Sequence, residues 1–187
     1  MKAKVGYRYG FSRYYLLTVV LSFLGWCFET VYLYIRWEKW CDCGFMTLPL
    51  CPIYGCTLMA IYLLIGTPHK PRGLFSRVSP DLLRYVLYFA LAFLIPSVME
   101  YVVGYFFDTV FHLRLWSYKG MPYNVDGYVC LPISIVWSGL IFIFMRFFFL
   151  PIKRVVGKIP KPLAIILTVL FTVAFAVDIG ENVVKTM

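Results

Sequence analysis

Five apolar stretches set the limits on what this chain can fold into. They fall at about residues 11–35, 50–66, 82–111, 128–150 and 163–181. A helix needs roughly 20 apolar residues to cross the ~30 Å hydrocarbon core of a bilayer, because it rises ~1.5 Å per residue. The 187 residues therefore read as a single transmembrane domain, all-α and polytopic, with about five transmembrane helices and no room for a separate soluble domain. Only 14% of the residues are charged and 61% are hydrophobic, whereas soluble domains carry about 25% charged residues.

The first stretch follows Lys2, Lys4, Arg8 and Arg13, a basic start that a signal peptide would share. No A-x-A-like cleavage site follows it, and it is too long for a typical signal core, so it reads as a retained helix. Charge then orients the chain. Thirteen of the eighteen Lys and Arg residues lie on one side: the N-terminus, the 67–81 connection with Arg84 just after it, and the 146–161 connection. By the positive-inside rule this predicts a multi-pass cell-membrane protein with a cytoplasmic N-terminus and an outward C-terminus. The net charge of +9 is thus an orientation signal, with no nucleic-acid partner implied. No phosphate-cradling G-x-x-x-x-G-K-[ST] motif occurs.

Within the apolar stretches two carboxylates stand out. Glu29 opens Glu29-x-Val31-x-x-Tyr34, and Glu100 opens Glu100-x-Val102-x-x-Tyr105. Each is followed by a polar, aromatic loop and a second apolar run entered through Pro52-Ile53 or Pro132-Ile133. The pattern suggests a parallel two-helix internal repeat, with a second copy nine residues longer in its loop; chance similarity is the competing reading in so apolar a chain. An unsatisfied carboxylate inside a membrane costs several kcal/mol, of order 3 on insertion scales, so matching positions point to a site. Gly104 and Asp108 share the helical face of Glu100.

An ordered series of motifs carries a family resemblance. It comprises Gly25-Trp26-Cys27-Phe28-Glu29, Gly44-Phe45, Pro52-Ile53-Tyr54-Gly55, Glu100 with Gly104, Trp116-Ser117-Tyr118, and Asn124 to Leu131 with Ser134 and Trp137. Together these resemble the bacterial family called putative ABC-transporter type IV permeases, small multi-span membrane proteins whose activity is not established. The resemblance covers roughly residues 23–140 and implies a transport component. Ser117, Cys43 and Ser138 depart from the family's usual acidic, basic and glycine residues, which bears on the chemistry of the outer loop.

The residues themselves suggest an outward-facing cup. Glu29, Glu100 and Asp108 would supply negative charge, while Tyr54, Asn124, Trp116, Tyr118 and Ser134 line the mouths of the returning helices. Such a cup suits a cation or a small cationic or zwitterionic solute, and one carboxylate can carry a proton in exchange. Two alternatives remain open here. The chain is either an intramembrane enzyme or cell-envelope assembly factor acting on a lipid-linked substrate, or a structural membrane subunit. In the last case both glutamates pair with Arg36, Arg114 or backbone donors and only lock helices together. Trp37, Trp40, Trp116 and Trp137 also suit an interfacial aromatic belt, and Asn124-Val125-Asp126-Gly127 suits a simple turn.

Cofactors are not indicated. His69 and His112 fall on opposite sides, so a metal site is not expected, and no base accompanies a cysteine to make a catalytic pair. Cys41, Cys43, Cys51 and Cys130 lie on the outer side, where a disulfide can persist, while Cys27 and Cys56 fall within spans as small apolar fillers. Partners follow from the surfaces. Basic inner loops suit anionic membrane lipids, or a separate ATPase or other cytoplasmic subunit as the family name implies, and five spans are few enough to favour a homodimer.

Overall fold

The computed structural model describes residues 10–38 and 45–186. Among the described residues six α-helices follow one another: α1 (Phe11–Trp37), α2 (Pro52–Ile65), α3 (Asp81–Val110), α4 (Leu131–Phe147), α5 (Phe149–Gly157) and α6 (Lys161–Thr186). Two small antiparallel hairpins interrupt them. Strands β1 (Gly66–Thr67) and β2 (Lys70–Pro71) follow α2, and β3 (Asn124–Val125) pairs with β4 (Val129–Cys130) ahead of α4. The protein is an all-α polytopic membrane protein. Helices α1, α3 and α6 are long and apolar enough to cross a bilayer, and α4 with α5 makes a fourth crossing if the bent pair is one span.

The second and fourth apolar stretches differ most from the sequence expectation. Helix α2 has 14 residues, about 21 Å at helical rise, so it is shorter than the hydrocarbon core. It starts at Pro52, which needs no donor in the first turn, and ends at Gly66, whose φ of 82° few other residues adopt readily. The fourth stretch starts at Leu131 rather than 128, because Val129 and Cys130 are held in a strand. It breaks after Phe147 and turns by 49° into α5. Pro151 explains the break: its ring clashes with the carbonyl four residues back, that of Phe147.

Helices α1 and α2 meet along a seam too narrow for side chains. A Cβ on Gly55 would run into Ser22 Oγ and the Thr18 carbonyl, and one on Gly25 would lie 2.5 Å from Tyr54 Cβ. The Cys51 amide donates to the Ser22 carbonyl at 3.1 Å, tying the entry of α2 to the middle of α1. Below this seam Leu17, Leu21, Ile61, Tyr88, Met145 and Phe149 form the buried core. Tyr88 donates to the Gly66 carbonyl at 3.2 Å, so α3 is anchored to the turn after α2.

Helix α6 lies along α1 and is fastened near both its ends. Arg13 donates to the Ile159 carbonyl at 3.0 Å, just before α6 begins. Near the other end, the buried Asp178 accepts from the Thr47 amide at 3.2 Å through both oxygens, and Asn182 donates to the Thr47 hydroxyl at 3.1 Å. Asp178 therefore faces inward, while its neighbour Glu181 is exposed beside Lys185. The outward faces of α3 and α6 expose Leu94, Val98, Val102, Ile166, Val169 and Val173, the surface a bilayer covers.

Candidate functional site

The site lies at the end of the bundle where α1 and α3 finish and α2 and α4 begin. Glu29 projects from the last third of α1 toward the start of α2. There the Cys51 thiol donates to Glu29 Oε2 at 3.4 Å, and the Tyr54 hydroxyl reaches the same carboxylate. The close approach is permitted by Gly25, one turn before Glu29, because Tyr54 occupies the space a larger residue would fill there. Trp137 of α4 closes the group, its ring 5.3 Å from Tyr54 and 5.6 Å from Phe28.

Glu100 approaches from α3. It is half-buried and lies within electrostatic reach of Glu29 and of Tyr54. Among the described residues no hydrogen-bond donor or basic side chain meets its carboxylate; its electrostatic neighbour there is Glu29. Tyr118, from the loop after α3, joins the two. Its phenol is pushed above the ordinary tyrosine range, first by burial and then by the negative charges of Glu100 and Glu29.

The loop that delivers Tyr118 is built to be stiff. Asp126 and Gly127 have φ of 52° and 76°, and the Tyr128 amide donates to the Val125 carbonyl at 3.0 Å, a tight turn of the kind hairpins favour. Asn124 accepts from the Gly127 amide at 3.1 Å and donates to the Met121 carbonyl at 2.7 Å. Trp116 donates its indole N–H to the Tyr128 carbonyl at 2.9 Å, and the Tyr118 amide donates to the Gly127 carbonyl at 2.9 Å. Gly104 of α3 lets Tyr128 and Trp116 settle on the helix, since a Cβ there would sit 2.9 Å from the Tyr128 ring.

Asp108 is part of the same scaffold. Arg114 holds it through two donors at 2.7 and 3.1 Å, and the Tyr128 hydroxyl donates to it at 2.6 Å. The Tyr128 phenol is raised above its usual range chiefly by that hydrogen bond, and Arg114 stacks 4.8 Å over the Tyr128 ring. Arg114 is thus committed to Asp108, and the expected pairing of Arg114 with either glutamate does not occur. The Arg36 side chain lies outside the described residues.

Of the eight residues singled out from sequence, Glu29, Glu100, Tyr54 and Tyr118 come together. Ser134 sits one turn before Trp137 on α4 and is 4% exposed, yet its hydroxyl makes no hydrogen bond among the described residues. Asp108, Trp116 and Asn124 belong to the frame that positions Tyr118. Sequence reasoning missed the thiol of Cys51 as a partner of Glu29. Its signal was its position just ahead of Pro52-Ile53, where the chain enters α2. Cys41 and Cys43 lie outside the described residues, and Cys130 is buried with its thiol 3.5 Å from the Pro122 carbonyl. Among the described residues no group of His, Cys, Asp or Glu is arranged to hold a metal ion.

The sequence profile of the family described as Putative ABC-transporter type IV matches residues 16–183. The chain belongs to that family. The match runs from α1 to near the end of α6, so Glu29, Tyr54, Glu100 and Tyr118 all lie within the family's own sequence. No curated protein and no solved structure matches the chain. The family's description suggests an ABC-transporter-type membrane component, in keeping with the apolar helices.

Proposed function

We propose that this chain is a small transport component whose solute-binding site is the cup formed by Glu29 and Glu100 with Tyr54 and Tyr118. The observation that carries the reading is the Glu100 carboxylate, half-buried, without a donor among the described residues, and within electrostatic reach of a second carboxylate. Two like charges in a medium of low effective dielectric repel, and a cation arriving between them removes that cost. The tyrosine rings add walls that attract a cation by their negative faces. An alkali cation, an organic ammonium or the ammonium end of a zwitterion fits this chemistry.

The cup opens outward in this proposal, with a cytoplasmic N-terminus and an outward C-terminus, following the charge bias of the connections. The basic residues of the opposite end, Arg72, Arg77, Lys153 and Arg154, then face the cytoplasm, where anionic lipid or a separate ATPase would meet them. Assembly as a homodimer would suit a unit with so few crossings.

The test is uptake into vesicles containing the purified chain, alone and with a co-purifying ATPase. The probes are alkali cations, quaternary ammonium compounds and amino-acid zwitterions. Glu29→Gln and Glu100→Gln should both stay folded and lose uptake, with a lower melting temperature only in Glu29→Gln. Normal uptake in both variants overturns the proposal, and loss of the folded protein in both assigns the glutamates to structure.

A further inference from the structure

At Tyr101, the residue after Glu100 on α3, three tyrosine rings meet. Tyr101 and Tyr105 stack at 6.2 Å with planes 4° apart, and Tyr128 stands edge-on to both at 5.6 and 6.3 Å. Together with Lys119 and Asp126 they border an open groove of about 560 Å³. Tyr101 also borders a second open groove of about 240 Å³, whose walls include Val98, Val102, Val125 and Val129. Val98 is nearly one turn deeper along α3 than Tyr101, so the apolar groove runs toward the middle of the helix while the polar groove opens at its end. The two grooves share Tyr101 as a wall, so an apolar slot lies next to a polar mouth, the shape of an amphiphile.

The charges of the mouth narrow the occupant. Arg114 is neutralised by Asp108 at 2.7 Å. Lys119 forms no ion pair among the described residues, and Asp126 accepts one hydrogen bond, from the Tyr101 hydroxyl at 3.1 Å. One positive and one negative group are left bordering the groove beside the exposed Tyr105 ring. We infer that this groove binds a phospholipid with a zwitterionic aminoalkyl headgroup, of the phosphatidylethanolamine type. Its phosphate meets the Lys119 ammonium, its own ammonium meets Asp126 and the tyrosine faces, and an acyl chain lies along Val98, Val102, Val125 and Val129. An anionic headgroup would leave Asp126 opposed by like charge.

The site is tested on the purified full chain equilibrated with mixed micelles of phosphatidylethanolamine and phosphatidylglycerol in equal amounts. Retained lipid is counted by native mass spectrometry. Phosphatidylethanolamine should be retained about fivefold over phosphatidylglycerol, a difference of about 1 kcal/mol. Val98→Trp, which fills the slot, should remove the retained lipid, and Asp126→Lys should reverse the preference toward phosphatidylglycerol. Unfolding curves for each variant confirm that the fold persists. Equal retention of both lipids, retention unchanged in Val98→Trp, or a lipid-free dimer that shields the groove would each overturn the assignment.

Discussion

The two helix pairs of this molecule begin from similar sequence and treat their carboxylates differently. In the first pair Glu29 receives the Cys51 thiol, and Tyr54 reaches it as well. Aligning Pro52-Ile53 with Pro132-Ile133 puts Leu131 in the place of Cys51 and Ser134 in the place of Tyr54. Leucine has no donor, and serine lacks the reach of tyrosine, so Glu100 finds neither partner in its own half. What approaches Glu100 comes from elsewhere: Tyr54 and Glu29 from the first pair, and Tyr118 from the loop that is longer in the second. One carboxylate is held by donors of its own helix pair, and among the described residues the other is not. The difference teaches that a shared sequence pattern does not fix the surroundings of its carboxylate.

That contrast can be broken first at Glu100. Glu100→Gln should lower uptake at least tenfold, about 1.4 kcal/mol in the relevant barrier or affinity, while leaving thermal stability unchanged or higher because no protein partner is lost. A stability loss as large as that of Glu29→Gln would place the two acids on an equal footing. The packing of the first pair offers the next largest effect. Gly55→Ala should destabilise by about 1–3 kcal/mol, since the added methyl meets Ser22 Oγ and a backbone carbonyl that cannot swing away. Gly104→Ala should cost less, because the edge of the Tyr128 ring is the nearest obstacle; denaturant midpoints in detergent compare the two.

Cys51→Ala probes the support given to Glu29. It should cost about 1 kcal/mol of stability and weaken solute binding less than Glu100→Gln does, as measured by equilibrium binding of the transported probe. The smallest effect is expected at Arg114. Arg114→Ala frees Asp108 at the exposed frame and should shift the melting temperature slightly while uptake persists. A large loss of uptake there would bring Asp108 into the solute's path.

Much of this architecture was legible in the sequence because apolar length is a strong signal. The runs containing α1, α3 and α6 were visible, as were both glutamates and the Pro-Ile entries to α2 and α4. Helix α5 was not, because Phe149–Gly157 continues the apolar run before its charges begin; Pro151 was the mark of the break. The frame role of Asp108 was hidden for a different reason. Its partners, Arg114 and Tyr128, are 6 and 20 residues away through an irregular loop, a geometry no helical spacing describes. Asp178 was equally undecided, since only the contact with Thr47 reveals which way it faces.

The glycine seam between α1 and α2 also limits how the molecule can move. With Gly25 against Tyr54 and Gly55 against Ser22, neither helix has a side-chain cushion on which to slide past the other. The boundary between this locked pair and α3 therefore runs through the site, with Glu29 on one bank and Glu100 on the other.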